Sequence, residues 1–285
     1  MITSPKLIAA GAWQDAEFAF VRAEIDAVQT WQAVPTLRAA VDHIAAADDP
    51  PEILLLAQTH PGADDQAEVE RLRQLAPLTR VIVVAGSLCE GELRTGRPLT
   101  GVVRIYWYEF AAWWRAALER LAGGETPPWA EPLTDLRAGH SIRLRPTSTE
   151  PRTNPDGELR VLAIDTTDYS TFDALSAGLT PLGWQCVWRP RHRPALNGQP
   201  AAAHQSPTAA LWDGSQLDAE ELTNLTVFCR RHNELHAPVV ALLDFPRTEH
   251  TVQIQSAGAA ALLAKPYQLA LLHNELTRVL SMKAD

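Results

Sequence analysis

Residues 51–62 read PEILLLAQTHPG. The run Ile53–Ala57 is apolar throughout, with Glu52 before it and the turn signal Pro61-Gly62 after it. So short a run cannot make a helix, and its unbroken apolar character fits a strand buried on both faces. Strands of that kind belong to parallel sheets covered by helices, and chemistry gathers at the loops beyond their carboxyl ends. Ala57 and Gln58 stand at that end here. Neither offers a charge or a nucleophile, so the strand has the place of a site-bearing element without its chemistry.

Outward from this strand, short apolar runs alternate with amphipathic stretches. Leu7–Ala10, Ala27–Trp31, Val81–Ala85 and Val102–Trp107 read as further strands. Val34–Ala46, Ala67–Leu75 and Phe110–Leu121 read as helices, and Asp15–Ile25 as a short one. Phe110, Trp113, Trp114, Ala117, Leu118 and Leu121 share one helical face.

From residue 123 to 157 the period disappears and Pro, Thr, Gly and Arg dominate, which marks a linker. Trp129 and Ile142–Leu144 are the parts of it expected to pack on a domain. The alternation then resumes. Strands are expected at Leu159–Asp165, Gln185–Arg189, Thr208–Asp213, Val239–Asp244 and Ala260–Ala264. Helices are expected at Tyr169–Leu179, Asp218–His232, Thr248–Ala257 and Gln268–Leu280. A Pro-rich polar stretch, residues 189–207, stands between the second and third of these strands and supports a helix only weakly. The chain thus reads as two copies of one α/β unit of about 120 residues. The domains are 1–122 and 158–285, joined by the linker 123–157.

The chain has 285 residues, enough for two ordinary domains. Its net charge of −9 argues against a general binder of nucleic acid or of anionic membranes. No apolar run approaches a membrane span. The amino terminus, MITSPKLIAAGAW, lacks the pattern of a secretory signal, so a cytoplasmic location is expected. Cys89, Cys186 and Cys229 form no disulfide framework.

The second half carries TAALWD, ending at Asp213; VLAID, ending at Asp165; and GAAALLAKPYQ, containing Lys265-Pro266. With these spacings the chain resembles tandem copies of the receiver domain of two-component response regulators. The resemblance implies flavodoxin-like three-layer domains, each with a parallel five-stranded sheet in the order 2-1-3-4-5. In that family a pair of acids ends the first strand, a phospho-accepting Asp the third, a Ser or Thr the fourth and a Lys-Pro pair the fifth. The acids hold magnesium, and the Asp takes a phosphoryl group.

Carried onto this chain, the resemblance makes Asp213 the phospho-acceptor position, with Asp165 and Lys265 in support. Thr166 replaces the second acid and Leu243 the hydroxyl residue. The first half departs at every position: Gly11 and Ala12 replace the acids, Ala57 the acceptor, Ala85 the hydroxyl residue and Tyr108 the Lys. The first domain is therefore a degenerate pseudo-receiver and the second a partly degenerate one.

Three functions follow from this reading. The first is a non-catalytic signalling or regulatory module that binds another protein, with no cofactor or metal and no enzymatic activity. A homodimer or a pairing of the two domains would also satisfy it. The second is a phosphotransfer-competent regulator using Asp213, with magnesium held at Asp165 and Asp213. The third is a flavodoxin-like binder of a small anionic ligand near Arg94 and Arg97, since Arg forks suit such groups.

Residues 87–101, SLCEGELRTGRPLTG, are too rich in Gly and Pro for a full helix and read as an interaction loop. Trp107 and Tyr108, with Arg94 and Arg97, are expected to line that contact surface, the alternative being that the aromatics belong to the core. Cys229, His232 and His236 are spaced for one helix face, a spacing that a metal site and an ordinary polar helix share.

Overall fold

The computed structural model describes residues 5–131, 160–191 and 206–282. The chain divides into two compact units, residues 1–141 and 142–285. The calls for Ile142–Leu144, and for a helix before the third strand of the second half, lie outside the described residues.

The first unit runs β1 (Leu7–Gly11), α1 (Ala19–Asp26), β2 (Gln32–Val34), α2 (Leu37–Ala45), β3 (Ile53–Gln58), α3 (Gln66–Leu75), β4 (Arg80–Ala85), α4 (Glu92–Thr95), β5 (Val103–Tyr106) and α5 (Trp107–Ala122). Its strands are all parallel, in the order β2-β1-β3-β4-β5. Every residue of β3 is buried, as its unbroken apolar run requires. Thr36 and Asp65 start α2 and α3 by accepting the amides of Ala39 and Ala67 at 3.1 and 2.9 Å. One face of the sheet packs Trp13, Phe18, Trp107, Phe110, Trp113 and Trp114; the other packs α2 and α3 through Val41, Ile44, Val69 and Leu72. Trp129 is buried against Trp113 and Trp114, at ring separations of 5.9 and 5.4 Å. The first residues of the stretch read as a linker therefore belong to this unit's packing.

The second strand differs from expectation. Residues 27–28 form a turn and 29–31 have no regular structure, and β2 follows as a three-residue edge strand that buries nothing fully. A strand held by one neighbour and facing water needs no apolar run, so the apolar pattern pointed one turn too early.

The second unit runs β6 (Arg160–Thr166), α6 (Tyr169–Leu179), β7 (Trp184–Pro190), β8 (Ala209–Asp213), α7 (Ala219–Glu234), β9 (Val239–Asp244), α8 (Thr248–Ala257), β10 (Ala261–Lys265) and α9 (Leu269–Ser281). All its strands are parallel, in the order β7-β6-β8-β9-β10. Both units are thus flavodoxin-like three-layer domains with the strand order 2-1-3-4-5. In this order the first and third strands lie side by side, and loops leaving their carboxyl ends diverge to opposite faces. Residues at those strand ends share one crevice in each unit.

Candidate functional site

In the second unit the crevice is built by four strand ends. β6 delivers Asp165 and Thr166, β8 delivers Asp213, β9 delivers Leu243 and Asp244, and β10 delivers Lys265. The Thr166 hydroxyl donates to Asp213 Oδ2 at 2.8 Å. Lys265 Nζ lies 3.1 Å from Asp213 Oδ1 and 3.3 Å from Asp244 Oδ1. Both oxygens of the Asp213 carboxylate are thereby engaged by side chains of its own unit. Two residues after Lys265, burial, aided by the Asp213 charge, pushes the Tyr267 phenol up to about 12. The peptide bond between Lys265 and Pro266 is cis.

A residue that sequence reasoning passed over completes the site. Arg191, directly after β7, donates from Nε to Asp165 Oδ1 at 2.7 Å and from Nη1 to Glu221 Oε1 at 3.0 Å. Its Nη2 donates to the carbonyl oxygen of Asp213 at 2.7 Å, and the guanidinium lies 3.7 Å from the Trp212 ring centroid. The Trp212 indole N–H also donates to Glu221 Oε1, at 3.0 Å. Only 9% of the Arg191 side chain is exposed. Asp165 and Asp213 were the residues assigned to a magnesium ion. The guanidinium is on Asp165, and Thr166 and Lys265 are on Asp213, so these oxygens are already engaged by side chains of the unit itself. Among the described residues, no group of three or more His, Cys, Asp and Glu is arranged to hold a metal ion.

The first unit has the same crevice and none of its polar groups. The strand registers locate the lost positions. Ala57 pairs with Gly11, and Ala85 with Tyr106. In the second unit Trp212 pairs with Asp165, and Leu243 with Ala264. With Ala57 set against Asp213, the residues matching Asp165 and Thr166 are Ala10 and Gly11, and the residue matching Lys265 is Trp107. The sequence alignment is thus corrected by one residue on two strands: Gly11 and Ala12 become Ala10 and Gly11, and Tyr108 gives way to Trp107. With the same anchor, Ala85 falls opposite Leu243. For β5 the reason is local. Glu109 accepts the Tyr106 amide at 3.2 Å, which starts α5 at Trp107 and ends the strand before it.

Trp107, expected on a contact surface, is instead buried in the core, and its indole N–H donates to Ser87 Oγ at 3.0 Å. The Ser87 amide in turn donates to Glu17 Oε1 at 2.8 Å. Tyr108 is half-buried and stacks on Tyr106 with centroids 5.5 Å apart. Burial pushes its phenol well above the usual range. Arg94 and Arg97 are exposed. Glu92, on the same loop, is buried and pairs with Arg104 at 2.9 Å. Leu88 and Leu93, on the same loop, are 73% and 66% exposed. In the second unit Cys229 and His232 are buried, and His232 Nδ1 meets the Phe228 carbonyl at 2.9 Å.

No family model and no curated protein matches the chain. Among solved structures, a response regulator from Thermotoga maritima is 18% identical with a TM-score of 0.34, covering 44% of this chain and 98% of its own. A CheY-like receiver domain from Methanospirillum hungatei is 19% identical with a TM-score of 0.35, covering 45% of this chain and 98% of its own. The signal receiver domain of a histidine kinase from Syntrophus aciditrophicus is 18% identical with a TM-score of 0.34, covering 43% of this chain and 91% of its own. Each match spans about one domain's length of the chain. No helix among the described residues is long and apolar enough to cross a membrane.

Proposed function

We propose that the chain is a non-catalytic signalling module whose two receiver-like domains act by binding another protein. The observation that carries this reading is the state of Asp213. A nucleophilic carboxylate needs a free oxygen, a metal to gather the phosphate, and donors for the transferred group. Asp213 has one oxygen on Thr166 and the other on Lys265. Leu243 supplies no hydroxyl, and the first unit has Ala57 at the corresponding place. The fold is kept while the chemistry is not, and a fold carries function only through its sites.

Partner binding is assigned to the loop between β4 and β5 of the first unit. Leu88 and Leu93 project apolar surface there, and the exposed Arg94 and Arg97 give the loop a positive rim. Exposed apolar side chains grouped with Arg are the composition of an interface. The test is affinity capture from the source cell with three baits: the natural chain, Asp213→Asn, and Arg94→Glu with Arg97→Glu. The same protein should be retained by the first two baits and lost by the third. Retention that depends on Asp213 would overturn the reading in favour of phosphotransfer.

A further inference from the structure

We infer that Arg191 is the resident cation of the second unit's acid crevice, seated in a set of oxygen donors suited to a divalent ion. The donors it holds are two carboxylates, Asp165 and Glu221, and the Asp213 carbonyl oxygen. These are the hard oxygen ligands that magnesium and manganese take. The cradle around the guanidinium is built. Trp212 stacks on it and also orients Glu221 through its indole N–H. Gly214 leaves the room: a Cβ there would come within 2.8 Å of Leu243 Cδ2 and 3.0 Å of Glu221 Oε1. The Arg191 amide bonds the Thr166 carbonyl at 3.3 Å, which fixes the backbone where the side chain can reach inward.

An Arg differs from a bound ion in three ways that matter here. It is always charged, it cannot dissociate, and its planar fork matches carboxylate oxygens. The crevice therefore carries a fixed counter-charge at every metal concentration, and its loops need no divalent ion to be held together. This inference extends the functional reading without resting on it, since a metal-independent crevice is compatible with any partner.

The experiment compares the full chain with Arg191→Gln and Arg191→Lys. Melting temperature and tryptophan fluorescence are followed as magnesium or manganese chloride is titrated into the millimolar range, with sodium chloride at matched ionic strength as the control. The natural chain should show no saturable response. Arg191→Gln leaves Asp165 and Glu221 without their cation, so it should melt lower and recover saturably with either metal. Adding Asp165→Asn to that variant should abolish the recovery. Arg191→Lys, which keeps the charge, should show no metal response. If Arg191→Gln folds only when magnesium is present during refolding, the inference is upheld. It is overturned by a saturable response of the natural chain, by an Arg191→Gln variant that ignores both metals, or by one that fails to refold with them.

Discussion

Gly11 sits opposite Ala57 in the register of β1 and β3, with a φ of +96° and no room for a side chain beside the Ala57 carbonyl. A Cβ at Gly11 would collide with that oxygen. Left-handed backbone alone disfavours a side chain by roughly 1–2 kcal/mol. Gly11→Ala should therefore destabilise the first unit by about 2 kcal/mol or more, read by urea denaturation. Gly11→Asp should do no better, so the acid lost from this strand cannot simply be put back.

Ala57→Asp should fail to create a phospho-acceptor. Ala57 is buried among apolar residues, and Ala10, Gly11, Ala85 and Trp107 supply neither metal ligand nor anion donor. An unpartnered carboxylate there should lower stability by roughly 1–3 kcal/mol or more. Stable acyl-phosphate at residue 57 would refute this.

Thr166 is fully buried, and its hydroxyl is one of the two groups that hold the Asp213 carboxylate. Thr166→Val keeps the shape and removes the donor. The loss should be about 1–3 kcal/mol, the penalty for a buried acceptor left unmade. Asp213→Asn should be milder in the Thr166→Val background than alone, and a double-mutant cycle measures that coupling.

Trp107 and the Arg pair separate core from surface. Trp107→Ala should destabilise the first unit by about 3–5 kcal/mol, since it empties a core position. Arg94→Glu with Arg97→Glu should change stability by no more than about 0.5 kcal/mol. A Trp107→Ala variant of undiminished stability would restore this residue to the surface role first expected of it.

The architecture was legible because β3, β4, β8 and β9 are buried on both faces, so each is written as an apolar run. β2 was misplaced because an exposed edge strand of three residues leaves no such run. Asp165, Asp213 and Lys265 were found because strand ends have fixed places in this topology. Trp107 was misjudged because one residue decides between strand end and helix start, and the Glu109 contact that decides it is a hydrogen bond rather than a pattern. Arg191 was invisible for a different reason. It belongs to a Pro-rich stretch without period, and its partners are 22 to 30 residues away in the chain. One signal did exist: two acids at adjacent strand ends with no second metal ligand require a cation from somewhere.

His232 supplies a pH dependence with a definite sign. Burial holds its imidazole below the ordinary value, with Nδ1 against the Phe228 carbonyl and the ring 4.1 Å from that of Phe228. The unfolded chain therefore binds a proton near pH 6.5 that the folded chain resists. This group's effect on stability is neutral above about pH 7 and destabilising as the pH falls below about 6.5. Melting curves across that window should show a loss that is reduced in His232→Gln, after allowance for the variant's own lower stability. An identical pH profile in the two proteins would contradict the assignment.

The measurement that bears most directly on the central claim is the intact mass of the chain after incubation with acetyl phosphate and magnesium. Trp212 fluorescence is followed in parallel with beryllofluoride, because that ring lies beside both Asp213 and Arg191. With Asp213 held by Thr166 and Lys265, and Asp165 held by Arg191, the account predicts no phosphoryl adduct and no saturable quenching. A stoichiometric adduct that disappears in Asp213→Asn would contradict it and make the second unit a working phospho-acceptor.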